Sequence, residues 1–170
     1  MILGMTTSTY TLLHVVISLI GIGSGLLVVY GLLTNQRFNG ATGIFLATTV
    51  ATSVTGFGFP FDHLLPSHKV GIISLVVLAI AILARYGFHL AGPWRRIYVI
   101  SGVMALYLNV FVLGVQSFLK VPALHALAPT QTEMPFLVTQ LVVLLIFVGL
   151  TVFAAKRFRG EPVQMRARAA

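Results

Sequence analysis

Five histidines carry most of the chemistry this sequence can offer. His14 lies in the first long apolar stretch, His63 and His68 between the second and third, and His125 between the fourth and fifth. His89 lies near the end of the third. An imidazole nitrogen can ligate a haem iron, hold zinc or copper, or hydrogen-bond a quinone carbonyl. In the topology derived below, His14, His63, His68 and His125 share one side of the membrane, with Asp62, Glu133, Gln116 and Gln140 at about the same level. Those four histidines are therefore the candidate cofactor-binding residues, for haem b or a quinone. A small carrier or a metal-handling protein would use the same polar layer. No HxxxH or HxH pair falls on a predicted helix, so no metal-ligand set is assigned. His14 stands apart because it lies within an apolar stretch and on a face expected to look inward. Its plainest role is a hydrogen bond to Gln116, Gln140 or a connector carbonyl.

The elements that must position these groups are membrane spans. The chain is 58% hydrophobic and 8% charged, whereas soluble domains carry about 25% charged residues. So few charges cannot cover a water-facing surface. The mean hydropathy of +1.00 also excludes disorder. Five apolar stretches run over 10–33, 41–60, 70–90, 97–119 and 136–155. At about 1.5 Å per residue each can cross a hydrocarbon core about 30 Å thick. Lipid offers no partner to a free backbone amide, so all five should be helices. The seven prolines fall at the ends of these stretches or outside them, where they punctuate rather than kink. The expected fold is all-α: one five-helix transmembrane domain over 1–155, then a basic cytoplasmic tail over 156–170. Residues 1–10 lack a positive charge, and the following stretch is too long for a signal peptide, so the first span reads as retained.

Charge sets the orientation. The chain has eleven Lys and Arg against three acids. Arg37, Arg95, Arg96, Lys156, Arg157, Arg159, Arg166 and Arg168 fall on one side of a five-span path, and only Lys69 and Lys120 on the other. Basic residues favour the cytoplasmic side, which predicts N-terminus out and C-terminus in. Lipid headgroups, not nucleic acid, are the expected partner of the basic tail. Arg85 and His89 are four residues apart, so one helix face is expected to carry both, with Arg85 snorkelling toward headgroups.

Small and polar residues recur at helical spacing. His14, Ser18, Gly21 and Gly25 share a face in the first span; Thr48, Thr52 and Thr55 in the second; Gly102, Ala105, Asn109 and Gln116 in the fourth. Gly21 and Gly25 form a GxxxG pair. These stripes are expected to glue helices together, and to offer surfaces to partner membrane proteins or a second copy. A short interfacial turn is expected near 123–127.

What is missing also constrains function. Without cysteine there is no disulfide, thiolate metal site or iron–sulfur cluster. All three acids lie outside the spans, whereas proton-coupled carriers usually bury a carboxylate. No phosphate-binding GxxxxGK loop and no HExxH motif occurs.

The segments FLATTVATSVTGFGFP (45–60), SHKVGIISLVVLAIAILARYGFHLAGPWR (67–95) and YLNVFVLGVQSFLKVPALHALAPT (107–130) resemble a group of small polytopic bacterial inner-membrane proteins with no assigned function. The resemblance implies a bacterial plasma-membrane setting and no site residue. In general shape the chain is also similar to haem- or quinone-binding membrane anchors of respiratory enzymes. The expectation is a non-enzymatic binding or accessory component of a membrane complex, with a haem b or quinone protein as the alternative.

Overall fold

The computed structural model describes residues 2, 4–59 and 66–159, with Pro66 described in its backbone only. It contains six α-helices: α1 (Thr7–Leu33), α2 (Asn39–Gly56), α3 (Pro66–Ile82), α4 (Trp94–Lys120), α5 (Pro122–Leu127) and α6 (Met134–Arg157). A π-helical turn, Leu83–Gly87, extends α3. The described residues form no strand, only an isolated bridge between Ile2 and Met5. The all-α class and the short helix near 123–127 are as the sequence predicts.

Among the described residues, four helical segments are long and apolar enough to cross a membrane: Thr7–Leu33, Ser67–Gly87, Trp94–Lys120 and Met134–Arg157. α2 is not among them, because glycine and hydroxyl residues dilute its apolar content. Four of those hydroxyls are satisfied locally. Thr42, Thr48, Ser53 and Thr55 each donate to the carbonyl four residues back, at 2.6–2.9 Å. Back-bonding of this kind lets a hydroxyl enter an apolar medium without water.

α2 runs antiparallel to α1 along most of its length. Phe38 lies against Gly31, Phe45 against Gly25, Thr48 and Thr49 against Gly21, and Thr55 against His14. α4 is the hub. It packs on α1 through Leu106 and Asn109, on α6 through Tyr107 and Phe147, and on α3. Val99, Val103, Ala105 and Leu106 of α4 are fully buried. α6 is the most peripheral long helix. Its buried residues are Phe136, Gln140, Phe147 and Ala154, at steps of four, seven and seven. Phe136, Gln140 and Phe147 meet α4, and α1 also touches this helix. Val143, Leu150 and Ala155 are half-buried beside the stripe, and most of the remaining face is exposed Leu, Val, Ile and Phe.

The bundle has two chemically distinct ends. At one, Arg85 Nη2 donates to Asn39 Oδ1 at 2.6 Å, Arg95 Nη1 donates to the Arg159 carbonyl, and the Arg159 amide donates to Asn35 Oδ1 at 2.8 Å. Those contacts bring together the end of α1, the start of α2, the π turn, the start of α4 and the end of α6. Arg37, Arg85, Arg95, Arg96, Lys156, Arg157 and Arg159 all belong to this basic end. The opposite end carries His14, His68, His125, Lys69 and Lys120.

Two local expectations fail here. The third stretch does not stay helical to residue 90: the Phe88 amide bonds to the Leu83 carbonyl, and His89 and Leu90 take left-handed φ of 50° and 60°. The backbone turn separates His89 from Arg85, so the two share no helix face. Arg85 does not simply snorkel either. Besides Asn39, its guanidinium lies 5.2 Å from the Tyr98 ring centroid and 5.6 Å from that of Tyr86, close enough for cation–π attraction.

Candidate functional site

The site is built from the histidine end downward. Tyr10 and His14 are one turn apart on α1 and face the last turn of α2. The Tyr10 hydroxyl donates to the Thr55 carbonyl at 2.7 Å. His14 Nδ1 lies 2.8 Å from Thr55 Oγ1. The Thr55 hydroxyl has one proton, and both the Ala51 carbonyl at 2.7 Å and His14 Nδ1 can take it. With that proton directed to Ala51, Thr55 Oγ1 accepts and His14 Nδ1 donates; with it directed to Nδ1, the tautomer is reversed. In the first arrangement Nε2 of the neutral ring holds the lone pair, as required of a ligand to iron or of a base toward a hydroxyl.

Aromatic rings surround this pair. Phe59 packs edge-on against Tyr10 and His14, with centroids 5.0 and 5.3 Å away. On the other side of the same turn Phe57 stacks on His68 at 5.5 Å. His68 is 3% exposed, which sets it apart from a solvated connector histidine. The structure thus brings His14 and His68 to the same end of α2. His125 is exposed on α5, which packs on α4. His63, like Asp62, lies outside the described residues. Among the described residues no three His, Cys, Asp or Glu side chains gather into a group that could hold a metal ion.

A polar seam runs from His14 toward the middle of the bundle. Ser18 Oγ donates to Asn109 Oδ1 at 3.0 Å. A Cβ placed on Gly21 would lie 3.2 Å from each of Asn109 Nδ2, Thr48 Oγ1 and Thr49 Oγ1. Three polar atoms thus converge where glycine leaves room. Asn109 Nδ2, Thr49 Oγ1 and Thr52 Oγ1 are buried and have no hydrogen-bond partner among the described residues. Below the seam, Ile22, Phe45 and Leu106 close the path with apolar carbon.

The small-residue stripe of α1 is therefore inside the chain, where Gly21 and Gly25 receive α2 and α4. It is not a free surface for a partner. Gln116, expected on the same buried face as Asn109, is exposed. Neither Gln116 nor Gln140 is His14's hydrogen-bond partner, which is Thr55. Gln140 instead reaches over Gly114 to the Phe111 carbonyl at 3.3 Å. Thr49, 1% exposed, was not singled out by spacing. It lies one residue off the Thr48–Thr52–Thr55 stripe, and only the approach of α1 shows that the buried arc of α2 is wide enough to include it.

Near this end Glu133 caps the loop before α6. Slight desolvation pushes its carboxyl pKa up, but hydrogen bonds from the Thr130 hydroxyl and amide and the Thr132 amide outweigh it and hold the carboxyl below its ordinary value.

No protein-family model, curated protein or solved structure matches this chain.

Proposed function

We propose that the chain is a five-span membrane protein of a bacterial plasma membrane, N-terminus out and C-terminus in. In this reading it acts without catalysis, as a binding or accessory component of a membrane complex. The course of α2 supports a fifth crossing, because a bilayer traversed by α1 is traversed beside it by α2 as well. The gathering of Arg37, Arg95, Arg96, Lys156, Arg157 and Arg159 at one end supports the orientation. The resemblance noted above supports the bacterial setting.

One observation carries the non-catalytic role. Three polar side chains of α1 are spent on helix–helix contacts, Tyr10 and His14 on Thr55 and Ser18 on Asn109, while Ser24 bonds back to its own helix. Each such contact contributes about 0.6–2 kcal/mol in a membrane. Together they lock α1, α2 and α4 into a frame that leaves the outer surface of α6 to lipid and partner helices.

The place of His14 favours a second reading. Its ring is held by Thr55 and Phe59. In the tautomer with Nδ1 protonated, its Nε2 lone pair suits a haem b iron, with His63, His68 or His125 as the other axial candidate, or the hydroxyl of a reduced quinone. One experiment separates the two readings. Protein purified in detergent from haem-replete cells is scanned oxidised and after dithionite, alongside His14→Ala. The frame reading predicts a featureless visible spectrum and a lower unfolding temperature for the variant. A Soret band with sharp reduced α and β bands, lost in His14→Ala, would replace it with the haem reading.

A further inference from the structure

The basic end holds a feature that does not involve His14. Between the start of α4 and the end of α6 lies an open cleft of about 690 Å³, lined by Arg95, Arg96, Lys156 and Arg159 with Val152 and Ala155. Four cations in one cleft repel one another. Of the three acids in the chain only Glu133 is among the described residues, and it lies at the opposite end.

The cleft is preorganised. Phe158, 2% exposed, anchors the chain in the core just before Arg159. The Arg159 amide is held by Asn35, and its carbonyl accepts from Arg95 Nη1. Arg95 Nε is buried and has no hydrogen-bond partner among the described residues. An orphan guanidinium donor is costly, and an anionic oxygen would satisfy it.

The cleft continues into an apolar groove. A cavity of about 170 Å³ runs between the same two helices, lined by Met104 and Tyr107 of α4 and by Leu144, Val148 and Val152 of α6 among others. Val152 belongs to both cavities. From Val152 to Leu144 the groove follows α6 for about 12 Å at 1.5 Å per residue. A cationic cleft at the membrane surface that opens into a carbon-lined groove matches a molecule with a phosphodiester head and a hydrocarbon tail. A free phosphate would leave the groove unused.

We propose that this cleft and groove bind one anionic phospholipid, its phosphodiester among Arg95, Arg96, Lys156 and Arg159 and one acyl chain along α4 and α6. The proposal rests on α4 and α6 crossing a bilayer, and not on the role of His14.

The test uses the full chain purified in a mild detergent and native mass spectrometry. Phosphatidylglycerol and phosphatidylcholine with identical acyl chains are added separately. The expected result is retention of one phosphatidylglycerol per chain and little phosphatidylcholine. Arg96 and Lys156 are exposed, so R96Q/K156Q should fold while lowering retention about tenfold, the effect of about 1.4 kcal/mol. K69Q/K120Q removes the same charge at the other end and should retain the lipid. V148F fills the groove with every cation in place and should also weaken retention. Equal retention of the two lipids, equal loss in K69Q/K120Q, or full retention in V148F would overturn the proposal. Displacement by millimolar glycerol phosphate would overturn it in favour of a soluble phosphate site. Recovery of the unmodified chain in the aqueous fraction, without detergent, would instead overturn the membrane reading beneath it.

Discussion

Gly25→Leu is expected to stop the bundle from closing, while Gly23→Leu, two positions away, is expected to leave it intact. A Cβ on Gly25 would lie 2.7 Å from Leu106 Cδ1 and 2.9 Å from two ring carbons of Phe45. Leu106 could shift its methyl, but Phe45 is 1% exposed and enclosed by the core. The first added carbon is already too close, and leucine adds three more. Overpacking by a few methylenes costs about 1–3 kcal/mol when neighbours can adjust. Here three helices meet and cannot, so the loss should exceed that range and take a large share of a total stability of about 5–15 kcal/mol. Gly23 is exposed, and a Cβ there meets nothing within 4 Å. Both changes lie on α1 and remove one glycine, so helix propensity cancels in the comparison. Size-exclusion profiles and thermal unfolding in detergent read the difference. Equal behaviour of the two variants would mean that the α1–α2–α4 junction is not packed as described.

Phe158→Ala should have the next largest effect, and a more local one. Phe158 is the last buried side chain of the described residues. Its amide closes the final turn of α6 on the Ala154 carbonyl at 2.8 Å. Truncating a buried Phe in a soluble core costs about 3–5 kcal/mol. In a bilayer, packing supplies more of that and water exclusion less, so the lower end of the range applies. The tail should lose its hold on Asn35 and Arg95. Trypsin cleavage after Arg157 reports the opening: each 1.4 kcal/mol lost raises the open population about tenfold. At least a tenfold faster cut is expected, with α1 and α2 still resistant. An unchanged cleavage rate would show that Phe158 does not anchor the tail.

The sequence reveals helices more readily than it reveals their partners. Long apolar runs mark α1, α4 and α6 closely, with proline at the borders of α4 and α6, since hydrocarbon-length runs have few other uses. The third run overshoots, because nothing in ARYGFHL advertises a π turn followed by two left-handed residues. For the site, the spacing of His14, Ser18, Gly21 and Gly25 does identify the inward face of α1. It cannot say that Thr55 rather than Gln140 meets His14, because α2 and α6 both offer a polar group near that level. Contact between Asn35 and Arg159 joins residues 124 positions apart, and no local pattern encodes it. Thr49 and Gln116 illustrate the same gap. Helical periodicity gives the direction of a face, but the neighbouring helix decides how wide the buried arc is and how far it extends.

The five-span reading stands or falls on whether α2 crosses the membrane beside α1. The chain has no cysteine, so single cysteines can be introduced without removing any. Thr7, Gln36, Ala91 and Ala126 are exposed and lie at the ends of the bundle. Each is replaced by cysteine, and intact cells are treated with a membrane-impermeant maleimide before and after permeabilisation. Five crossings with the N-terminus outside predict labelling of T7C and A126C in intact cells, and of Q36C and A91C only after permeabilisation. Labelling of A91C but not of A126C in intact cells, with T7C labelled and Q36C protected, would mean that α2 does not cross and would contradict the account.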